Sequence, residues 1–105
     1  MARTTPFSAE GGSAFGGHGT SMYYLYILKS IRDNWHYIGT TANINNRFAE
    51  HNAGEVRSTK AHRPLFLIHT EEFINKTIVR KREVHLKRNA KARRELFNQI
   101  NAPIV

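Results

Sequence analysis

The chain has 105 residues and no cysteine, with 16 Lys and Arg against 8 Asp and Glu, for a formal charge of +8. This length supports one domain with a modest core. No apolar stretch reaches the ~18–20 residues of a membrane span, and the missing thiols exclude a disulfide scaffold, a zinc ribbon and a cysteine nucleophile.

A sequence pI near 10.3 points to a polyanionic partner, DNA or RNA before an acidic membrane surface. The charge is unevenly spread. Residues 1–21 hold only Arg3 and Glu10, which cancel, so the whole excess belongs to residues 22–105. The first segment is rich in Gly, Ser, Thr and Ala, lacks apolar periodicity, and cannot offset its ordering entropy by burial. It reads as a disordered arm or a vector-derived leader ahead of a domain over 22–105 that opens at Met22.

Tyr23-Tyr24-Leu25-Tyr26-Ile27-Leu28 is aromatic and β-prone and predicts a strand. Arg32-Asp33-Asn34 is a turn signal, and Trp35-His36-Tyr37-Ile38-Gly39 follows as the second arm of a hairpin. Thr41 or Asn43 can cap a short helix through about Asn52, which Asn52-Ala53-Gly54 stops. Residues 55–63 form a polar, basic loop, and Leu65 to Thr70 a third strand after Pro64. From about Asn75 the period becomes helical, with Ile78, Val79, Arg82, Leu86 and Ala90 on one stripe. Leu96, Phe97 and Ile100 support a last helix. The order β-β-α-β-α-α predicts an α+β domain, a small antiparallel sheet covered by helices.

Several polar residues stand where packing alone does not ask for them. The hairpin can bring Tyr26 and Tyr37 together, and Gly39 leaves room for a close approach by another backbone or a phosphate. Arg47 and His51 share a helix face at i,i+4, and Arg offers planar paired donors to a phosphate. Between Lys76 and Arg94 nine basic residues surround a single acid, Glu83. At ~100° per residue Glu83 lies on the shoulder of the apolar stripe, where a carboxylate needs a salt bridge to Arg80 or Lys87, or a hard cation such as Mg²⁺. His36, His62, His69 and His85 read as surface or packing residues, because no tight zinc spacing is present.

Taken in order, Tyr24-Leu25-Tyr26, then Tyr37-Ile38-Gly39 eleven positions on, the Arg47–His51 pair and Arg82-Glu83 resemble the GIY-YIG nuclease family, in its small stand-alone bacterial form. One position departs from the pattern: Tyr24 stands where the first motif has glycine. The resemblance covers residues 22 to about 98. It implies a three-stranded antiparallel sheet flanked by helices and a metal-dependent endonuclease cutting phosphodiester bonds in DNA, with RNA not excluded. Tyr26, Tyr37, Arg47, His51 and Glu83 match the family's catalytic positions, with Glu83 as ligand to Mg²⁺ or Mn²⁺.

An unperturbed phenol titrates near 10 and is a poor base at neutral pH. Either nearby positive charge lowers the pKa of Tyr26, or His51 relays its proton. Lys60, Arg63, Arg80, Lys81, Lys87 and Arg88 are the candidate nucleic-acid contacts. So small a domain has little surface for base readout. The expected substrate is therefore a branched, flapped or single-stranded DNA, or one chosen by a targeting partner protein, within a bacterial cytoplasm and nucleoid. A catalytically silent nucleic-acid-binding module of the same fold is the alternative.

Overall fold

The computed structural model describes residues 22–101; the expected leader over 1–21 lies outside the described residues. Three strands, β1 (Tyr23–Ser30), β2 (His36–Thr41) and β3 (Leu65–Phe73), form one antiparallel sheet in the order β2-β1-β3. Helix α1 (Ile44–Asn52) follows the hairpin, and α2 (Lys76–Arg88) and α3 (Ala90–Asn101) follow β3. The α+β class and the expected element order are both present. Among the described residues no helix is long and apolar enough to cross a membrane.

β1 is the central strand, which explains why its apolar run is continuous rather than alternating: both of its faces are covered. Leu25 and Ile27 pack with Ile38, Val79, Leu86 and Leu96 under α2 and α3. Tyr26 and Leu28 pack on the other face with Leu65, Trp35, Tyr37 and Phe48. A β-bulge in β3 moves the pairing from Leu28↔Leu67 to Ile27↔His69, leaving Ile68 without a register partner. Two stacks close the periphery, His36 on Phe97 with centroids 4.3 Å apart and Trp35 on His62 at 3.7 Å.

Asparagines begin the helices. Asn43 Oδ1 accepts the Asn46 N–H at 3.0 Å to cap α1, Asn75 Oδ1 accepts from Thr77 at 2.7 Å to cap α2, and Asn89 Oδ1 accepts from Ala92 at 2.9 Å at the start of α3. Gly54, at φ +83°, turns the chain out of α1, and the Arg63 guanidinium lies 2.7 Å from where a Cβ would stand. One expectation fails on α2. Ile78 is 52 % exposed, because the packed face is centred on Val79 and Leu86, and Ile78 sits ~100° around the helix from Val79. On that same flank Arg82 instead reaches β3, where its guanidinium donates twice to Glu71 at 2.9 and 3.0 Å.

Candidate functional site

The hairpin register sets Tyr26 opposite Gly39 and Leu28 opposite Tyr37, so the two tyrosines are diagonal neighbours on one face, their centroids 6.2 Å apart. Gly39 is what lets them meet. A Cβ there would stand 2.6 Å from Tyr26 Oη and 2.9 Å from Tyr37 Cε2. The close approach expected of Gly39 is thus made by the chain's own phenol ring rather than by a second backbone or a phosphate.

From α1, His51 closes the cluster. Its ring centroid lies 5.6 Å from Tyr26 and 5.1 Å from Tyr37, and its Nε2 is 2.8 Å from Tyr26 Oη. Behind it, Nδ1 is 2.8 Å from Thr59 Oγ1. Both His51 and Thr59 are wholly removed from solvent, at 0 % exposure. Arg47, one turn earlier on α1, is 37 % exposed. It pairs with Glu50 at 2.9 Å, and its charge acts on the Tyr26 hydroxyl. Its guanidinium therefore borders the tyrosines while facing solvent, where an incoming phosphate could meet it.

Burial pushes the Tyr26 phenol up to about 12, with the charges of Tyr37 and Glu83 adding to it and Arg47 opposing. Arg47 lowers this pKa as a nearby positive charge should, but desolvation outweighs it and the net shift is upward. His51 is driven down to about 4, first by burial, then by the Arg47 guanidinium, with Glu50 pulling the other way. Arg47 itself is held more firmly protonated, chiefly by Glu50 and then by Tyr26. At neutral pH the pair is a protonated phenol against a neutral imidazole.

Glu83 approaches from α2. Lys87 donates to its Oε2 at 2.8 Å and lies 6.0 Å from the Tyr37 ring centroid. Of the two salt-bridge partners expected for Glu83, Lys87 is the one that forms. Its other oxygen has no partner among the described residues, and the carboxylate is half-buried rather than solvated. Tyr24, where the motif has glycine, is half-buried on β1; burial, then Glu72 on the paired strand, raises its phenol.

The expected nucleic-acid contacts divide. At ~100° per residue Arg80 and Lys87 stand beside Glu83, whereas Lys81 and Arg88 lie roughly 140–160° away on the far side of α2. Lys60 is exposed on the 3₁₀ turn Lys60–His62. Arg63 is engaged internally, donating to the carbonyls of Lys60 at 3.1 Å and Asn52 at 3.4 Å.

Sequence reasoning missed two neighbours of the site. Glu50, three positions after Arg47, was readable from helical spacing. Thr59 was not, since it lies in a loop with no periodicity. It also missed Glu71, 1 % exposed, which receives His69 Nε2 at 2.8 Å besides Arg82.

Comparison with known proteins finds relatives most of whose length the match covers. The chain is 39 % identical over 74 residues to a UPF0213 protein of Natronomonas pharaonis, covering 70 % of this chain and 86 % of that one. It is 40 % identical over 68 residues to a UPF0213 protein of Staphylococcus haemolyticus, covering 64 % and 82 %. With a UPF0213 protein of Listeria monocytogenes it shares 35 % over 78 residues, covering 73 % and 86 %. No solved structure gives a significant match. The profile of the GIY-YIG catalytic domain matches residues 22–98, which span both tyrosines, Arg47, His51 and Glu83, and the chain belongs to the GIY-YIG nuclease family.

Proposed function

We propose that this protein is a divalent-metal-dependent endonuclease that hydrolyses phosphodiester bonds in branched, flapped or single-stranded DNA during repair, recombination or related processing. The observation that carries the reading is the buried Tyr26–His51 hydrogen bond, whose phenol feels the charges of the half-exposed Arg47 guanidinium and the half-buried Glu83 carboxylate. Hydrolysis of a phosphodiester needs a proton acceptor for water and positive charge at the phosphoryl oxygens. Arg47 answers the second need and the phenol–imidazole pair the first.

Glu83 fits a hard cation. One of its oxygens is without a partner among the described residues, and one carboxylate plus water and phosphate oxygens suits Mg²⁺ or Mn²⁺. Bound there, the cation supplies Lewis-acid polarisation of the phosphate. The chain's own residues do the rest. Arg47 clamps a non-bridging oxygen. Tyr26 passes its hydroxyl proton to His51 Nε2 as it takes one from the attacking water, and Tyr37 limits where that water can sit. The negative charge of the incoming phosphate raises the proton affinity of His51 from its low resting value. Arg80 and Lys87 flank Glu83 and extend the phosphate-binding strip along α2.

The test is a cleavage assay on labelled single-strand, duplex, flap, fork and four-way-junction DNAs with Mg²⁺, Mn²⁺ or EDTA. Metal-dependent cuts that disappear in Glu83→Gln, and slow on the order of 10²–10³-fold in Arg47→Ala, are expected. Cuts that survive both Glu83→Gln and EDTA defeat the reading. Salt-sensitive binding with no cuts on any substrate replaces it with the silent binding module.

A further inference from the structure

The hydrogen-bonded chain through His51 has two ends of fixed polarity. At one end the Arg47 guanidinium, which can only donate, acts on the Tyr26 hydroxyl. At the other, Thr59 Oγ1 lies 3.4 Å from the Val56 carbonyl, which only accepts. Between them stand the Tyr26 Oη–His51 Nε2 and His51 Nδ1–Thr59 Oγ1 contacts, both 2.8 Å. One assignment of protons satisfies every link. Tyr26 donates to a bare Nε2, Nδ1–H donates to Thr59, and Thr59 donates to Val56.

We propose that Thr59 is a positioning residue that fixes His51 in the Nδ1-protonated tautomer, so that the Nε2 lone pair faces the Tyr26 hydroxyl. A neutral imidazole carries a single N–H. In the other tautomer that hydrogen would point at Tyr26, and no proton could pass from the phenol to the ring. The inference rests on the nuclease reading for its purpose, while the tautomer is a property of the free protein.

Thr59 is held for this task by the loop that the sequence shows only as polar and basic. Its own N–H donates to Val56 O at 3.2 Å, and its carbonyl accepts from the His62 N–H at 2.9 Å. The backbone thus fixes the hydroxyl eight positions after the ring it serves, with both groups sealed from water. When His51 takes the phenol proton at Nε2 it becomes a cation with two N–H groups, and Nδ1–H stays on Thr59. The phenol oxygen is refilled by the proton leaving the attacking water as its oxygen bonds to phosphorus. The strand oxygen released when its own P–O bond breaks takes up a proton afterwards, from solvent or from the His51 cation, which returns the ring to its neutral form.

The experiment is NMR of isotopically labelled imidazole nitrogens in the free protein near neutral pH, with no metal or DNA, beside cleavage rates on the DNA selected above. Wild type and Thr59→Ser are expected to show His51 protonated at Nδ1, with similar cleavage. Thr59→Val is expected to lose that exclusive tautomer and to cut at least about tenfold more slowly, the usual scale for removing an orienting partner. A wild-type His51 protonated at Nε2 overturns the proposal, as does an unchanged tautomer in Thr59→Val. Should the valine variant not fold, Thr59→Ala is read by the same spectra. A tautomer lost in Thr59→Val in a protein that cuts no DNA supports the positioning role and defeats the nuclease reading instead. Cleavage with an unchanged tautomer does the reverse.

Discussion

Two buried histidines serve opposite faces of the same sheet, and their partners differ in kind. His69, on β3, faces the side covered by α2 and α3, where Glu71 takes its Nε2 and two donors from Arg82. His51, on α1, faces the Tyr26 side and has a hydroxyl at each ring nitrogen. A carboxylate gripped by a bidentate guanidinium is a fixed charge. Hydroxyls both give and accept, so a proton can shift along their chain without leaving an unpaired group. The first arrangement clamps β3 to α2 one residue before Glu83; the second is able to move a proton. Burial alone therefore does not mark a working histidine, and the chemistry of its two neighbours does.

The sharpest way to break this contrast is at Glu71. Burial alone would raise its carboxyl, but His69 and Arg82 hold it down to about 2. Glu71→Ala removes the acceptor that His69 and Arg82 share, and is expected to cost about 3–5 kcal/mol in urea unfolding. A loss under about 1 kcal/mol would place the cluster among ordinary surface pairs.

Acid titration separates the two faces within one protein. The ordinary pKa of His51 is 6.5 and its folded value about 4, so the unfolded chain binds more protons between them and stability falls as pH drops through that window, by about 3 kcal/mol in all. Glu71 is depressed from 4.5 to about 2, so its share is present above 4.5 and is lost only at more acid pH. Unfolding free energies measured from pH 7 downward should show the His51 loss first. A flat profile between 6.5 and 4 would contradict a His51 buried in its neutral form.

The smallest of these effects on stability is expected at Gly39, on the tyrosine face. Gly39→Ala forces a Cβ into the space of the Tyr26 ring, which costs about 1–3 kcal/mol. Cleavage should suffer more than stability, because the phenol is displaced from His51. A fully active Gly39→Ala protein would show that the spacing of the two tyrosines is not critical.

Much of the fold was legible locally. The three strands, a cap at Asn43 and the stop at Gly54 follow from β-propensity, side-chain capping and left-handed backbone, all short-range properties. The meeting of Tyr26 with Tyr37, and the shared face of Arg47 and His51, follow from periods of two and 3.6. The α2 stripe was legible only in part. Periodicity names a face but not its centre, so Ile78 was assigned to the core and Arg82 was not assigned to Glu71.

The sequence by itself thus determined the element order, the α+β class and the family, together with the pairing of Tyr26 with Tyr37 and of Arg47 with His51, because each is written in spacing along the chain. Only the tertiary structure decided that Tyr26 is raised rather than lowered, that Arg63 is spent on backbone carbonyls, and that Lys81 and Arg88 face away from Glu83. It alone also brought in Thr59 and Glu71. Proton affinity and the partner of a buried polar group depend on what surrounds the group from every side. Those surroundings come from elements distant in the chain, which no local period records.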